Sequence, residues 1–287
     1  MAKGILVSIG GAEDKGTDLE AGIIDRNRMN FFELGILKKF ISLIENPNPR
    51  IEVITTASTI PDEVGENYLS AFAKLDCLNV GHMRIRNREE TSTPEMMERL
   101  AQTDAIMFSG GNQLKLTSIF GGTDFLKLLT ERFFNEEKFV VAGTSAGAMA
   151  MSNTMIYEGN ASKAHLKGEV KITTGLAFIK DVIIDSHFDK RGRFSRLAQA
   201  VAANPQALGI GLGEDTGVIV RNDDTIEIIG SGAVLLVDGH KIRHNNIAEI
   251  SDGNPISVEN LNVHILERGN HFNLNTKKFE ANVNEMF

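Results

Sequence analysis

The fold is decided by one stretch of sequence, Val140-Val141-Ala142-Gly143-Thr144-Ser145-Ala146-Gly147-Ala148-Met149. An apolar, β-branched run leads there into the pattern Gly-x-Ser-x-Gly, and small residues compatible with a helix follow. Such a strand–turn–helix unit raises the serine hydroxyl above the end of a strand, beside a helix N-terminus whose free N–H groups can stabilise an oxyanion. Ser145 is therefore a candidate nucleophile, and an inert serine in a tight turn is the alternative.

Strand and helix patterns alternate on both sides of this stretch. Short apolar runs predict buried strands at residues 4–9, 51–55, 80–85, 104–108, 139–142, 182–185 and 208–212. Apolar residues at helical spacing predict helices at residues 30–44, 66–75, 94–101 and 123–134. Because strands that are apolar throughout belong to sheets covered on both faces, we expect a three-layer α/β fold with a predominantly parallel sheet flanked by helices.

The pattern changes after residue 216. Strands are expected at residues 218–220, 225–229 and 233–237, separated by Asn, Asp, Gly and Ser residues that favour turns. We expect these C-terminal strands to extend the same sheet in antiparallel fashion. No Pro- or Ser-rich linker and no internal repeat divides the chain, so residues 1–287 are expected to form a single domain.

Composition argues against several classes of protein. The 287 residues carry 30 basic and 38 acidic side chains, a net charge of −8, which disfavours nucleic acid as a partner. No apolar run approaches the roughly 18 residues that indicate a membrane span, and the start of the chain lacks a signal-peptide pattern, so we expect a cytoplasmic protein with no membrane partner. Cys77 is the single cysteine, which excludes a disulfide within the chain and favours a buried thiol.

Neither a cofactor nor a metal is expected. Residues 10–16, Gly-Gly-Ala-Glu-Asp-Lys-Gly, follow the first predicted strand but match neither the dinucleotide fingerprint nor the phosphate-binding P-loop. His240 and His244 are four residues apart but flank a predicted turn and lack the His-Glu-x-x-His pattern, which favours two surface residues.

A serine nucleophile needs a base, and the base needs a group that orients it. Among seven histidines, His187 follows the apolar run 182–185 directly, at the end of a strand where open α/β sheets bind their ligands. The run 208–212 is followed in the same way by Glu214 and Asp215, and spacing does not choose between these two acids. The chain order of serine, histidine and acid disfavours the α/β-hydrolases, which run serine, acid, histidine.

Two further segments have the composition of a ligand site. After the strand that ends at Phe108, paired glycines leave the N–H of Gly110 or Gly111 available for an oxyanion hole, and Gln113 can hydrogen-bond a ligand. A plain turn is the alternative there. Three arginines at positions 191, 193 and 196 follow the candidate base closely and suggest a pocket for carboxylates, with a solvated helix face as the alternative.

Together these segments resemble the cyanophycinase family of serine peptidases, relatives of the aspartyl dipeptidases with a class I glutamine-amidotransferase-like α/β fold. The resemblance covers about residues 4 to 240 in blocks that keep the family's order: residues 9–15, Thr55-Thr56-Ala57-Ser58 with Pro61, Glu63 and Tyr68, then 109–113, 143–148, 185–196 and 209–216. Members of this family hydrolyse cyanophycin, a poly-aspartate backbone with an arginine on each β-carboxyl, and release β-aspartyl-arginine dipeptides. The resemblance therefore implies a serine-type exopeptidase.

The resemblance also implies a role for each candidate residue. Ser145 matches the nucleophile, His187 the general base and Glu214 the orienting acid. The positions expected to hold substrate are Gln113, Asp185, Arg191, Arg193 and Arg196. For acyl transfer by this serine, we expect N–H groups near Gly111 and Ala146 to stabilise the oxyanion.

The sequence departs from the family pattern at two positions. Ser186 stands in the substrate-binding segment where glutamine is expected, and Gly213 stands where an acid is expected. These departures leave open a serine dipeptidase for small aspartyl or isoaspartyl peptides. Because a triad in the sequence does not by itself prove activity, an inactive homologue that only binds is a second alternative. The resemblance, with the frequency of two-fold assemblies, also leads us to expect a homodimer.

Overall fold

The computed structural model describes residues 2–16, 31–221 and 224–280. The strands are β1 Ile5–Ile9, β2 Ile51–Ile54, β3 Val80–Met83, β4 Ala105–Phe108, β5 Val140–Thr144, β6 Thr154–Gly159, β7 Val170–Thr174, β8 Val182–Asp185, β9 Leu208–Leu212, β10 Thr216–Val220, β11 Thr225–Gly230, β12 Val234–Asp238, β13 His244–Asn245, β14 Val258–Glu259, β15 Asn262–Leu266, β16 His271–Asn273 and β17 Lys278–Glu280. The helices are α1 Phe31–Leu34, α2 Ile36–Ser42, α3 Pro61–Lys74, α4 Pro94–Gln102, α5 Gln113–Phe120, α6 Asp124–Asn135, α7 Ala146–Ala150 and α8 Phe194–Ala203, with a 3₁₀ turn at Glu89–Ser92.

The main sheet has nine strands in the order β17-β16-β11-β10-β1-β5-β4-β2-β3. Its strands from β1 to β3 in that order run parallel, which confirms the predominantly parallel arrangement at the centre. β10 pairs antiparallel with β1, and β11 pairs antiparallel with β10, so the antiparallel extension is confirmed for these two strands.

The expectation for residues 233–237 is wrong, because β12 does not join the main sheet. It pairs with β9 and β15 in a second sheet of order β15-β12-β9-β8, in which β8 and β9 are parallel neighbours. The chain turns away after β11 at Gly230, which has a φ of +92° and packs against the backbone of Asp215. The N–H of Ser231 then donates to the Asp215 carbonyl at 2.7 Å, which ties this turn to the end of β9 and sets β12 beside it.

Both faces of the main sheet are covered, as the continuous apolar strands predict. Neighbouring residues of β1 point to opposite sides, so that Leu6 and Val7 belong to different core clusters. Helices α2 and α3 bury Phe40 and Phe72 on the Val7 side. Helices α4 to α6 and the second sheet cover the other side. The result is the predicted three-layer α/β arrangement.

The predicted helix at residues 30–44 is two helices in the structure, and Asn30 lies outside the described residues. The break falls at Gly35, whose extended backbone (φ −62°, ψ 150°) cannot continue a helix. The predicted buried thiol at Cys77 is confirmed. None of the helices in the described parts of the chain is long and apolar enough to cross a membrane.

Candidate active site

Ser145 lies in the turn between β5 and α7 with φ 53° and ψ −113°, a conformation that side-chain-bearing residues rarely adopt. Two glycines permit this turn. A Cβ at Gly143 would lie 2.6 Å from the backbone of Gly147, and a Cβ at Gly147 would lie 2.5 Å from the carbonyl oxygen of Phe108. The N–H of Ser145 donates to the Ile9 carbonyl at 2.9 Å. The Gly-x-Ser-x-Gly stretch thus folds as the strand–turn–helix unit that its sequence predicts.

His187 follows β8 and faces this serine. Its Nε2 lies 3.0 Å from Oγ of Ser145. Its backbone also has a positive φ, of 48°, and its N–H donates to the Gly10 carbonyl at 2.8 Å. The imidazole lies against Gly11, where a Cβ would come within 2.5 Å of both Cε1 and Nε2. Only glycine at this position leaves room for the ring.

Glu214 and Asp215 both follow β9, but their carboxylates bind different partners. Oε1 of Glu214 lies 2.8 Å from Nδ1 of His187. The Asp215 carboxylate instead accepts hydrogen bonds from Oγ of Ser231 at 2.7 Å and from the N–H of Asp14 at 3.2 Å. Burial raises the pKa of Asp215, and these two hydrogen bonds offset that rise only in part. Of the two acids that spacing left open, Glu214 is therefore the one that meets the imidazole.

Two backbone segments beside Ser145 offer N–H groups. Ala146 opens α7, and the first N–H groups of a helix have no acceptor within it. The loop after β4 approaches from another side, since a Cβ added to Gly110 would lie 3.6 Å from Oγ of Ser145. Gly111 has a φ of +138° and packs against the Ala57 carbonyl, which leaves no space for a side chain.

Three of the predicted substrate-binding residues bind one another. Oδ2 of Asp185 accepts from Nε of Arg196 at 2.8 Å, and its Oδ1 accepts from Nη2 of Arg196 and from Nη1 of Arg193 at 3.0 Å. All three residues are buried, and burial lowers the pKa of Arg193 against the attraction of Asp185. In the structure these two arginines therefore bind the carboxylate of Asp185, which belongs to the protein itself. One positive charge remains in excess, and a role in substrate binding stays a prediction.

The other three predicted substrate-binding residues have separate surroundings. Arg191 is exposed in the turn before α8. Gln113 opens α5, and its Nε2 donates to a backbone carbonyl of β6 at 3.0 Å. Ser186 is buried, and its Oγ donates to Sδ of Met149 in α7 at 3.2 Å. The serine that replaces the expected glutamine therefore faces a neighbouring helix instead of solvent.

A buried carboxylate that was not among the predicted site residues lies beside the turn that carries Ser145. Glu13, 3% exposed, accepts hydrogen bonds from the hydroxyl of Tyr68, from Oγ1 of Thr144 at 2.6 Å and from Nζ of Lys15 at 2.8 Å. Burial acts to raise the pKa of Glu13, but Lys15 and the two hydroxyl donors outweigh it and the pKa is lowered. In the sequence Glu13 stands between glycines and charged residues and resembles a solvated loop acid, so only its position next to a strand end could have drawn attention to it.

Ser145, His187 and Glu214 thus form one chain of hydrogen bonds. A carboxylate on Nδ1 favours the tautomer in which Nε2 can accept the serine proton. The histidine and glutamate side chains are 16% and 31% exposed, so the chain can be reached from solvent. Across residues 2–16, 31–221 and 224–280, no group of three or more His, Cys, Asp or Glu residues is placed to hold a metal ion.

Comparison with known proteins places the chain in a family. The model of peptidase family S51 matches residues 27–229. The chain belongs to peptidase family S51. Relatives of this S51 peptidase include a cyanophycinase of Synechococcus elongatus, 34% identical over 278 residues, which cover 97% of this chain and 81% of the relative. A cyanophycinase of Trichormus variabilis is 32% identical over 95% of this chain and 86% of its own, and one of Geminocystis herdmanii is 31% identical over 96% of both.

Two solved structures share the fold of this S51 peptidase. A peptidase from an acI-B1 actinobacterium superposes with a TM-score of 0.65 at 21% identity, over 95% of this chain and 98% of that one. A putative peptidase E from Listeria monocytogenes superposes with a TM-score of 0.51 at 18% identity, over 81% of this chain and all of that one. At these identities the likeness concerns the α/β fold.

Proposed function

We propose that this chain is a serine-type exopeptidase that hydrolyses cyanophycin, multi-L-arginyl-poly-L-aspartate, to β-Asp-Arg dipeptides through an acyl-enzyme. The observation that carries the proposal is the chain of hydrogen bonds from Ser145 through His187 to Glu214, in a member of a peptidase family whose relatives are named cyanophycinases. No cofactor or metal is needed for this chemistry.

The first half of the reaction forms the acyl-enzyme. His187 takes the proton of Ser145 on Nε2 while Oγ attacks the scissile amide carbonyl, and Glu214 stabilises the imidazolium through Nδ1. The negative charge that develops on the carbonyl oxygen is stabilised by N–H groups of Gly111 and Ala146. His187 then gives its proton to the leaving amine, and the amide bond breaks.

The second half uses water in place of the amine. His187, neutral again, accepts a proton from water, whose oxygen attacks the ester carbonyl. The same N–H groups stabilise the second oxyanion, and the protonated imidazole returns its proton to Oγ of Ser145 as the dipeptide leaves. Every proton transferred in the two half-reactions therefore passes through the imidazole of His187.

The arginine-rich segment supplies recognition of carboxylates. Asp185 neutralises one of the two buried guanidinium groups beside it, and the exposed Arg191 adds a further positive charge. The free carboxylates of cyanophycin, on its arginine residues and at the end of its backbone, suit such a pocket. Gln113 at the start of α5 completes the proposed binding set, and Ser186 takes part in it once its hydroxyl turns from Met149 toward the substrate.

The domain organisation and location that we propose rest on the sequence, and the assembly rests on the family resemblance. Residues 1–287 form a single domain, the protein works as a homodimer, and it acts in the cytoplasm without nucleic acid or membrane as partner. A single monomeric peak in size-exclusion chromatography with light scattering would contradict the dimer.

A substrate panel tests the proposed reaction. Purified protein is incubated with cyanophycin and, separately, with small aspartyl and isoaspartyl dipeptides, and the products are identified by mass spectrometry. Release of β-Asp-Arg from the polymer is the expected result. Intact polymer together with cleaved dipeptides would overturn the assignment in favour of a dipeptidase. No product from any substrate would favour a binding homologue.

A further inference from the structure

The last residue of β1 and the loop that follows it touch every segment of the proposed triad. The carbonyl of Ile9 accepts the N–H of Ser145 at 2.9 Å, and the carbonyl of Gly10 accepts the N–H of His187 at 2.8 Å. The carbonyl of Gly11 accepts the N–H of Asp215, the neighbour of Glu214, at 2.9 Å. Three consecutive carbonyls therefore hold three segments that arrive from β5, β8 and β9, in two different sheets.

The residues held in this way share a strained backbone. Ser145, His187 and Asp215 have φ values of 53°, 48° and 47°. Such conformations are unfavourable for residues with a side chain and persist only where the surrounding structure enforces them. The three carbonyl hydrogen bonds are part of that constraint. Gly10 and Gly11 belong to the loop, so displacing the loop would release the segments of His187 and Asp215 together, while Ser145 would keep its bond to Ile9 at the end of β1.

Glu13 anchors this loop, which we call the β1 loop and define as residues 10–16. Its carboxylate reaches Oγ1 of Thr144, the residue immediately before Ser145, at 2.6 Å. It also binds Tyr68 of α3 and Lys15 of its own loop. The carboxyl stays ionised because its pKa is lowered, and Tyr68 stays a donor because burial and Glu13 raise the pKa of its phenol.

We infer that Glu13 is a positioning residue, which locks the β1 loop onto Thr144 and thereby holds Ser145 and His187 in reacting geometry. This inference rests on the proposed function, because it assigns Glu13 a part in the same acyl transfer. Glu13 acts through Thr144 and need not contact substrate. Its loss should slow the chemical step and leave substrate affinity nearly unchanged.

The test compares Glu13→Gln, Thr144→Val, Thr144→Ser and the double variant Glu13→Gln/Thr144→Val. Glu52→Gln is the matched control, since Glu52 is equally buried (2% exposed) and bound to Arg99, away from the β1 loop. Each protein is assayed for kcat and KM on cyanophycin and for its melting temperature. The rate of sulfonylation by phenylmethanesulfonyl fluoride is measured as well. In that reaction an S–O bond forms at Ser145, fluoride leaves, and the hydroxyl proton passes to His187.

Glu13→Gln and Thr144→Val are expected to lower kcat about 10- to 100-fold, as a misplacement of about 1 Å does, with KM within about twofold of wild type. Sulfonylation should slow by a similar factor. The double variant should be no slower than the worse single variant, because both changes act on the same contact between Glu13 and Thr144. Thr144→Ser, which keeps the hydroxyl, should recover most of the rate. Glu52→Gln should lose stability but keep kcat.

Three results would overturn the inference. These are an unchanged kcat in Glu13→Gln, multiplicative losses in the double variant, or an equal loss of kcat in Glu52→Gln. Failure of the proposed function gives a different pattern. If wild type leaves cyanophycin intact, sulfonylation of Ser145 still reports whether Glu13 positions the serine.

Discussion

Replacement of Gly11 by alanine is expected to lower activity, because the added methyl group would clash with the imidazole of His187, the proposed base. A Cβ at Gly11 would lie 2.5 Å from Cε1 and Nε2 of His187, whereas ordinary contacts of such atoms begin at 3.4 Å. The ring must therefore retreat by about 1 Å, which breaks the 3.0 Å hydrogen bond to Ser145. A displacement of this size lowers the rate about 100-fold. Alanine at a φ of +106° also costs about 1–3 kcal/mol of folding stability.

The assay measures kcat on cyanophycin and the free energy of unfolding for Gly11→Ala beside a matched control, Gly253→Ala. Gly253 also has a positive φ, of 83°, but a Cβ there meets nothing within 4 Å. Both variants should lose stability through the positive φ, Gly11→Ala should lose more because of the clash with His187, and only Gly11→Ala should lose activity. Wild-type kcat in Gly11→Ala, or an equal fall in Gly253→Ala, would refute the steric reasoning.

Further predictions concern four acids. Glu214→Gln should lower kcat about 1,000-fold or more, because the amide no longer stabilises the imidazolium. Asp215→Asn should keep a kcat close to that of wild type. The opposite ranking of the two kcat values would show that Asp215, not Glu214, orients the base. The pKa of Asp215 is raised in the folded protein, so ionisation above its ordinary pKa of 3.8 disfavours folding. Asp215→Asn should therefore raise the melting temperature at pH 7, and the difference from wild type should vanish below pH 3.8; a constant difference would contradict this. Asp185→Asn should cost about 3–5 kcal/mol in chemical denaturation, because it leaves two buried arginines without their carboxylate. Asp62→Asn, whose ion pairs are exposed, should cost less than about 1 kcal/mol, and equal losses would show that burial is not decisive.

The meeting of Ser145, His187 and Glu214 was predictable because each residue follows an apolar run that reads as a strand. The carboxyl end of a parallel strand is where α/β sheets bind ligands, and the end of β5 in the main sheet faces the ends of β8 and β9 in the second sheet. The strand–turn–helix unit at Ser145 was equally predictable. Gly143 and Gly147 have no room for a Cβ, and this requirement appears in the sequence as the Gly-x-Ser-x-Gly motif.

The division into two sheets was not predictable from the pattern. Apolar periodicity predicts a strand but does not predict which strand it pairs with. The sequence around Gly230 resembles that of an ordinary hairpin turn after β11. Its tie to Asp215 is a long-range contact with no local signal. The buried ion pairs of Asp185 with two arginines could not be predicted for the same reason. A sequence does not show whether charged side chains near a site bind a ligand or one another. Glu13 was missed because burial of a loop acid depends on donors that lie 55 and 131 residues away.

The central claim is that Ser145 cleaves cyanophycin, and one comparison tests it most directly. Wild type and Ser145→Ala are incubated with cyanophycin, and released peptides are measured by mass spectrometry, with circular dichroism as the check that both are folded. We predict that wild type releases β-Asp-Arg and that Ser145→Ala releases none above the uncatalysed background. Equal release by the two proteins would contradict the claim, because the hydroxyl that the structure sets 3.0 Å from His187 would then take no part in the reaction.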